Sequence, residues 1–396
     1  MSGKKHPKLL IASPEEIAEG KVTDVYFIRT RQILNARGIH ENVRVEIMVK
    51  SFPENWQWAL FAGLDEVLEI MEGHPVTIRA LAEGTPFKPY LPVMEIEGDY
   101  LDFGIYETAI LGCLCQSSGI VTAAARCVKL AAGRPVVSFG ARRMHPVLAP
   151  LVERNAYIGG CSGVATVKSA EVLGITPTGT IPHALVIIMG DSVAAATAFD
   201  EIIDPALPRV ALVDTFGDEK FESLAVADAL GGKLSALRLD TTSSRRGDFS
   251  RIFQEVRWEL DQKGYSHVKL FASGGLNEKS IVRLNHVVDA YGVGTSISAA
   301  PTVDYSLDIV EVGGEPRAKR GKMSGSKELF RCPTCMEDTI LARGAEAPIC
   351  ERCRIKAEPI LKTIMKDGKR TSQSPTPGRI RKDILAILER LDVEPT

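Results

Sequence analysis

The spacing of apolar and polar positions along the chain changes near residue 134. Before that point, "HENVRVEIMVKS" (residues 40–51) alternates between the two kinds of side chain, which predicts a strand. The stretch "WQWALFAGLDEVLEIMEG" (56–73) has helical spacing and predicts a helix that ends at Gly73. The small-residue run over 104–133 predicts a long helix or a helix pair. These elements indicate an N-terminal α/β domain.

From residue 134 to about residue 298, short apolar strands alternate with amphipathic helices. The predicted strands lie within residues 135–140, 175–183, 209–216, 234–240, 267–275 and 291–298. Repeated β-α units with short connections are typical of a parallel sheet. Because about six repeats follow one another without a longer break, the pattern favours a closed barrel over a doubly wound sheet.

Polar residues or glycines lie at the carboxyl end of each predicted strand of this region. They are Arg142 and Arg143; Thr180 and His183; Asp214; Arg238 and Asp240; Ser273, Gly274 and Gly275; and Gly294 and Thr295. In a β/α barrel the carboxyl ends of the strands share one rim, where active sites lie. The sequence therefore predicts that these side chains surround one opening.

The last two strand ends carry glycine turns, "SGG" (273–275) and "GVGT" (292–295). Glycine lets backbone N–H groups approach an anion closely, and the loops after the last two strands of such barrels commonly bind phosphate beside a helix N-terminus. Either turn alone is a weak signal, but the pair on consecutive strands predicts a phosphate site.

Composition narrows the class of protein. The 396 residues are 45% hydrophobic and 25% charged, with a net charge of −2, as in an ordinary soluble globular protein. The near-neutral charge disfavours a nucleic-acid coat or a membrane-surface protein. The apolar runs Ala184–Met189 and Leu9–Ala12 are too short for a membrane span and for a secretory signal. We therefore expect a cytoplasmic protein without a membrane partner.

Four of the eight cysteines form a matched pattern near the C-terminus. Cys332 and Cys335 are separated by 14 residues from Cys350 and Cys353, giving two C-x2-C pairs. Two such pairs suit a closed tetrahedral site with four sulfur ligands, so we predict structural Zn2+. Two redox-active C-x2-C motifs are the competing interpretation.

A zinc ribbon raises the possibility of an RNA-binding protein. From Arg331 onward the chain has 13 basic and 10 acidic residues, and aromatic residues are absent after Phe330. Both observations disfavour binding to nucleic acid. A folding staple or a contact within an oligomer is favoured instead.

Several motifs together resemble one known family. They are "TDVYF" (23–27), "GTPF" (84–87), "YETAIL" (106–111), "FGARR" (139–143), "GTIPHALV" (179–186), "LVDTFGD" (212–218), "LRLDTTSSRRGD" (237–248), "ASGG", "YGVGTS" and "GEPRAKRGKMSGSK". In this order, from about residue 20 to residue 327, they are similar to nicotinate phosphoribosyltransferases. The resemblance is strongest to short archaeal-type members with a cysteine-rich C-terminal segment.

The resemblance implies a fold and a reaction. The fold is an N-terminal α/β sandwich domain (1–125), an irregular β/α barrel (126–300), a strand and basic connector returning to the first domain (301–330), and a small zinc-binding segment (331–396). The reaction joins nicotinate to phosphoribosyl pyrophosphate (PRPP), usually with ATP hydrolysis, in NAD salvage. A homo-oligomer whose subunits share active sites is implied as well.

The resemblance also implies roles for individual residues. Nicotinate would lie among Tyr26, Phe139, Thr180, Arg238 and Arg142, while PRPP would contact Ser273, Gly274, Gly275, Gly294, Thr295 and Lys319. Asp214 and Asp240 would bind ribose hydroxyls or Mg2+ on the pyrophosphate. His183 would carry a transient phosphoryl group from ATP.

Three other enzyme classes compete with this assignment. Nicotinamide-using relatives carry an aspartate at the position of Ile181, and its absence favours the acid substrate. Quinolinate-specific relatives share the barrel and glycine loops but lack the histidine that matches His183. An aldolase or isomerase would usually need a lysine at a strand end for a Schiff base.

Overall fold

The computed structural model describes residues 9–396. The chain forms two compact units. The first comprises the described part of Met1–Ser118 together with Val303–Ser374, and the second comprises Gly119–Thr302 with Pro375–Thr396.

The N-terminal part of the first unit mixes short helices and strands. Its helices are α1 (Pro14–Ala18), α2 (Val25–Arg37), α3 (Leu64–Met71) and α4 (Tyr100–Phe103), and its strands are β1 (Asn42–Val49), β2 (Ala59–Leu60), β3 (Thr77–Ala80), β4 (Pro86–Phe87) and β5 (Met94–Asp99). The helix predicted over residues 56–73 is confined to α3, which is a correction. Gly63 has a φ of 91°, which a helix cannot accommodate, and β2 instead pairs with β4.

A single helix, α5 (Glu107–Leu130), occupies the small-residue run. Ser117, Thr122 and Arg126 on this helix are fully buried. By length and composition alone, the run Tyr100–Leu130 could cross a membrane, but 61% of its most apolar window is buried inside the protein. It is therefore a core helix.

The second unit contains the β-α repeats. Its strands are β6 (Val136–Ser138), β7 (Gly163–Val164), β8 (Arg209–Leu212), β9 (Leu234–Leu239), β10 (Lys269–Ala272) and β11 (Ala290–Val293), and its helices are α6 (Ala149–Ile158), α7 (Val167–Leu173), α8 (His183–Met189), α9 (Ser192–Ile202), α10 (Glu219–Leu230), α11 (Phe249–Gln262), α12 (Glu278–Leu284) and α13 (Thr295–Ser298). The strands form one parallel sheet in the order β7-β6-β11-β10-β9-β8. The predicted α/β class is confirmed.

The predicted closure of the barrel is corrected by the structure. Strands β7 and β8 form the two edges of the sheet, so the sheet is open within residues 9–396. The described residues 175–182, predicted as a strand, run as irregular chain. Pro177 and Pro182 lack the N–H groups that a ladder needs. Thr178 nevertheless donates its N–H to Val164 O at 2.7 Å, which holds this segment beside β7.

The last predicted strand is also shorter than expected. It ends at Val293, and Thr295 begins the short helix α13 with Gly294 as its N-cap residue. The second glycine turn thus joins a strand to a helix.

The chain returns to the first unit after residue 302. The strands there are β12 (Tyr305–Val312), β13 (Glu315–Pro316), β14 (Lys327–Arg331), β15 (Asp338–Ala342), β16 (Glu358–Pro359), β17 (Lys362–Lys366) and β18 (Lys369–Arg370). A seven-stranded sheet runs β13-β12-β1-β5-β3-β17-β18, and β15-β14-β16 form a smaller sheet. The final helix, α14 (Pro377–Leu388), packs on α6 in the second unit. Residues 331–396 are therefore divided between the units.

Candidate active site

The carboxyl ends of the parallel strands bring most of the predicted polar residues to one edge of the sheet. In sheet order, β11, β10, β9 and β8 are neighbours. Each is followed by a turn that carries site candidates: Gly294, Ser273 to Gly275, Asp240 and Asp214, respectively. The two glycine turns therefore lie on adjacent strands, beside the two aspartates.

His183, the first residue of α8, faces both of these aspartates. Its Nε2 lies 3.6 Å from Asp240 Oδ2 and 3.9 Å from Asp214 Oδ1. Its Nδ1 lies 3.1 Å from Thr215 Oγ1. The imidazole is 40% exposed, so a ligand can reach it. The hydroxyl on one side and the two carboxylates on the other hold the orientation of the imidazole.

Asp214 is the buried member of the carboxylate pair. Its side chain is 1% exposed, and its Oδ2 accepts the N–H of Asp240 at 2.8 Å. Its Oδ1 has no hydrogen-bond partner among residues 9–396. Burial raises the pKa of Asp214 to about 6, although the nearby His183 favours the ionised form. A carboxylate in this state is ready to accept a hydroxyl group or a cation.

Arg238 on β9 joins the ring-binding candidates. Its Cζ lies 5.9 Å from the centroid of the Phe139 ring, and its Nη2 donates to Ile181 O at 3.4 Å. Its Nε is buried and has no partner in the described part of the chain. Burial lowers the pKa of Arg238, and the nearby Arg142 acts in the same direction. A buried cation beside an aromatic face suits a flat anion.

Phe139 is fixed by the strand beside it. It stacks on Phe271 with centroids 5.8 Å apart. A Cβ at Gly292 would lie 2.4 Å from the Phe139 ring, so only glycine fits there. Of the other nicotinate candidates in this unit, Thr180 is half-buried and Arg142 is exposed.

The first glycine turn has a backbone that other residues rarely adopt. Gly274 and Gly275 have φ angles of 87° and 65°. A Cβ at Gly274 would lie 2.9 Å from Asp240 Oδ1, an atom that also accepts the Ser273 hydroxyl at 3.0 Å. In the second turn, Ser296 Oγ donates to Leu276 O at 2.7 Å and so connects the two turns.

Two predicted residues lie in the first unit. Tyr26 on α2 is 55% exposed. Lys319 is exposed and pairs with Asp308, which also binds Lys322 Nζ at 2.6 Å. Their roles toward nicotinate and pyrophosphate stay predictions.

The structure adds rim residues that sequence reasoning missed. Arg246 Nη1 donates to Gly274 O at 2.7 Å, and its signal in the sequence was the "SSRRGD" run after β9. Ser298 is fully buried with a hydroxyl that lacks a partner among the described residues, and a Cβ at Gly140 would lie 2.6 Å from it. Thr215 was overlooked although it follows Asp214 directly.

The four C-terminal cysteines meet at one point. Their Sγ atoms lie within 4.8 Å of one another, and Cys335 and Cys350 Sγ are 3.6 Å apart. The two C-x2-C turns also have the same backbone pattern. Met336 N donates to Cys332 O at 3.0 Å, and Arg354 N donates to Cys350 O at 2.8 Å.

This sulfur cluster fits a tetrahedral metal ion. Zn–S bonds of about 2.3 Å put sulfurs just under 4 Å apart. Hydrogen bonding by the backbone at Cys335 lowers the pKa of Cys332 to about 7. The described cysteines form no disulfide, so all four thiols are available as ligands.

Family models and relatives agree on one group of proteins. The model described as quinolinate phosphoribosyl transferase, N-terminal domain, matches residues 24–118, and the model of the C-terminal domain matches residues 120–308. A nicotinate phosphoribosyltransferase of Mycobacterium tuberculosis is 29% identical over 362 residues, covering 80% of each chain. That of Bacillus subtilis is 27% identical over 337 residues, covering 74% of this chain and 67% of its own.

Two solved structures are similar to this chain over most of its length. The nicotinate-nucleotide pyrophosphorylase from Pyrococcus furiosus is 49% identical, with a TM-score of 0.96, and the match covers 98% of this chain and 100% of that one. Human nicotinic acid phosphoribosyltransferase, at 19% identity, shares the fold with a TM-score of 0.75 over 94% of this chain and 96% of its own.

Proposed function

The chain belongs to the phosphoribosyltransferase family defined by the two quinolinate phosphoribosyl transferase domain models, and from that premise we propose that it transfers the phosphoribosyl group of PRPP to the ring nitrogen of nicotinate. The products are nicotinate mononucleotide and pyrophosphate. Relatives over most of the chain are named nicotinate phosphoribosyltransferases, which supports the choice of acid and a role in NAD salvage.

The strongest support for the proposal comes from two buried polar atoms at the carboxyl ends of the strands. Neither has a hydrogen-bond partner among the described residues. Arg238 Nε and Asp214 Oδ1 both lack partners among residues 9–396. Buried polar atoms are nearly always hydrogen-bonded, so these two point to a ligand. One atom is a donor for an anion and the other accepts a hydroxyl or cation. A substrate pair with a carboxylate and a sugar satisfies both.

Each part of the proposed substrates has a matching group. The 5-phosphate of PRPP lies on the N–H groups of the turns at 273–275 and 294–295, where glycine leaves room for its oxygens. Asp214 and Asp240 either bind the ribose hydroxyls directly or hold Mg2+ on the pyrophosphate. Nicotinate lies against the Phe139 ring, with its carboxylate near Arg238. Thr180 and Arg142 border this region, and the resemblance assigns Tyr26 to nicotinate and Lys319 to PRPP.

The chemistry needs positioning more than a protein nucleophile. The C1–O bond to pyrophosphate breaks, the C1–N bond to the pyridine ring forms, and the pyrophosphate leaves with the bonding electrons. An arginine close to the leaving pyrophosphate stabilises the negative charge that develops on it. Holding the two substrates in line avoids the entropy cost of bringing them together. Arg238 and Arg142 provide the positive charge.

Magnesium fits the carboxylate pair. Mg2+ is typically held by one or two carboxylates, waters and phosphate oxygens, and Asp214 and Asp240 supply such a pair. When bound with PRPP, the ion neutralises the charge of the leaving pyrophosphate.

We also propose that ATP acts through His183. When Nδ1–H donates to Thr215 Oγ1, Nε2 carries the lone pair that can attack a phosphoryl group. The γ-phosphoryl group would move to Nε2 with ADP as the leaving group, and later hydrolysis would release phosphate.

The finer predictions about the whole protein are proposals too. We propose one structural Zn2+ at the four cysteines, a cytoplasmic location, an archaeal-type member of the family, and a homo-oligomer that completes its sites with a neighbouring subunit. Nucleic acid and membrane are not proposed as partners.

A panel of substrates tests the function. Pyrophosphate release is measured with PRPP and each of nicotinate, nicotinamide and quinolinate, with and without ATP. Turnover with nicotinate, increased by ATP, is the expected result. Turnover with quinolinate alone would assign the chain to quinolinate phosphoribosyl transfer, and no release with any acid would refute the proposal.

A further inference from the structure

A buried ion pair lies at the start of the helix that follows the first glycine turn. Arg126 on α5 has a 0% exposed side chain and binds Glu278 through two hydrogen bonds, Nε to Oε1 at 2.7 Å and Nη2 to Oε2 at 2.9 Å. Glu278 is the first residue of α12 and follows Gly275 by three residues. The pair thus anchors the segment that carries the turn.

The last residues of the chain contact both members of this pair. Arg126 Nη2 donates to Glu394 O at 2.8 Å. Thr396 donates its backbone N–H to Glu278 Oε2 at 3.0 Å, and its hydroxyl lies 3.3 Å from the same oxygen. Residues 394–396, called the tail here, therefore bridge the guanidinium and the carboxylate.

Helix α14 brings the tail to this position. It packs on α6 through buried Ile380, Ile384 and Leu388. Arg381 donates to Cys161 O at 3.0 Å and to Gly160 O at 3.1 Å. Because α14 has its own contacts, the tail can be removed without removing the helix.

The negative charge of Glu278 explains why its pairing with Arg126 matters next to the first glycine turn. A carboxylate three residues from a phosphate-binding turn repels a phosphate, and in a low-dielectric interior that repulsion is strong. Bidentate pairing with Arg126 neutralises Glu278. A buried ion pair is favourable only when its remaining donors and acceptors are bonded as well, and the tail supplies such bonds.

Leu276 and Asn277 join the first glycine turn to Glu278, and each makes a further hydrogen bond. Asn277, the N-cap residue of α12, accepts Ser280 N at 3.0 Å. Leu276 O accepts the Ser296 hydroxyl of the second turn. A shift of α12 at its first residue therefore moves the turn at 273–275 relative to its neighbour at 294–295.

We propose that the tail is a positioning element for the donor phosphate. By completing the Arg126–Glu278 pair, residues 394–396 hold α12 and the first glycine turn in the geometry that binds the 5-phosphate of PRPP. This inference rests on the proposed function, and it assigns a role in substrate affinity to residues far from the reacting atoms.

The test compares the full chain with a chain ended at Val393. The matched control is Thr396→Val, which keeps the backbone N–H and loses only the longer hydroxyl contact. Steady-state kinetics give kcat and KM for PRPP and nicotinate, and hydrogen–deuterium exchange reports residues 274–280. A loop displaced by a fraction of an ångström weakens binding substantially.

In the shortened chain we expect the KM for PRPP to rise about tenfold, with kcat and the KM for nicotinate within twofold. Amides at 274–280 should exchange faster, while those at 214–218 do not change. The control should match the full chain in every readout. An unchanged KM for PRPP overturns the inference, even if the melting temperature falls, because a purely structural role lowers only stability.

The two proposals fail in different ways. If the full chain releases no pyrophosphate from PRPP with any acid, the proposed function fails, and exchange alone then decides whether the tail holds the turn. Unchanged hydrogen–deuterium exchange at residues 274–280 in the shortened chain would show that the tail does not hold the turn, and it would refute the inference.

Discussion

Asp214 accepts the backbone N–H of Asp240 at 2.8 Å, so a main-chain hydrogen bond fixes the two carboxylates that follow neighbouring strands β8 and β9. The bond uses Oδ2 of Asp214 and leaves Oδ1 toward His183. This relationship combines two needs of the site. It holds the carboxylates beside the imidazole, and it keeps one buried oxygen for a ligand.

The raised pKa of Asp214 predicts a pH-dependent gain in stability on its removal. In the folded protein its pKa is about 6, above the usual value of 3.8. Its contribution to stability is thus full below about pH 4 and is lost as the pH rises through 6. Asp214→Asn should raise the unfolding free energy of the ligand-free protein by about 2–3 kcal/mol at pH 8 and leave it unchanged at pH 4.

Denaturant unfolding at the two pH values checks this prediction. Activity of the same variant should fall at least about a hundredfold, since Asn cannot replace the charge. A destabilised variant at pH 8, or an equal shift at both pH values, would contradict the burial argument.

Gly274 tests the phosphate turn by crowding. A Cβ at this position lies 2.9 Å from Asp240 Oδ1, and its φ of 87° disfavours other residues. Gly274→Ala should raise the KM for PRPP at least about tenfold. Gly275→Ala has the positive φ without a contact within 4 Å of the described atoms and should have a smaller effect.

The control for this series is Gly232→Ala, at a glycine away from the rim whose Cβ would meet no described atom within 4 Å. It should bind PRPP as the unmodified chain does. Equal KM values for PRPP in Gly274→Ala and Gly232→Ala would show that the turn at 273–275 does not bind the phosphate.

His183→Gln tests ATP coupling. Glutamine keeps a polar group near Thr215 but cannot form a phosphoramidate, so ATP should no longer stimulate pyrophosphate release. With γ-labelled ATP, the unmodified chain should acquire an acid-labile phosphoryl group that the variant lacks. His286→Gln, whose histidine bonds Ser250 and Gln254, is the control and should behave normally. Full ATP stimulation in His183→Gln would exclude the phosphohistidine.

The cysteine cluster predicts one zinc ion per chain. Cys332→Ser should lose the zinc detected by plasma mass spectrometry and lower the melting temperature by roughly 5–10 °C, since metal binding supplies folding energy. Cys113→Ser, outside the cluster, should retain the metal. Purified protein with no zinc but with the disulfides Cys332–Cys335 and Cys350–Cys353 would instead favour the redox interpretation.

Local patterns predicted the sheet because each β-α unit carries its own signals. Strands β8 to β10 begin near their predicted positions, since apolar runs bounded by polar turns are local features, but β8 and β10 end before their predicted last residues. Residues 175–182 do not form the predicted strand, because two prolines lack the N–H groups that a ladder needs.

The rim was predictable for the same reason, since parallel strands place their ends together. Contacts between distant parts of the chain were not. Arg126 and Glu278 are 152 residues apart, and neither has a motif. The Ser298 hydroxyl, which has no hydrogen-bond partner among the described residues, likewise depends on the close approach of Gly140 to α13, and the sequence does not reveal that approach.

The most direct test of the central claim is a competition between two acids for one product. Nicotinate labelled with 13C in its ring and unlabelled quinolinate are supplied at equal concentrations with PRPP, and mass spectrometry measures the label in the nicotinate mononucleotide formed. The rim geometry predicts that nearly all of the product carries the label, without release of CO2. Unlabelled product formed together with CO2 would contradict it.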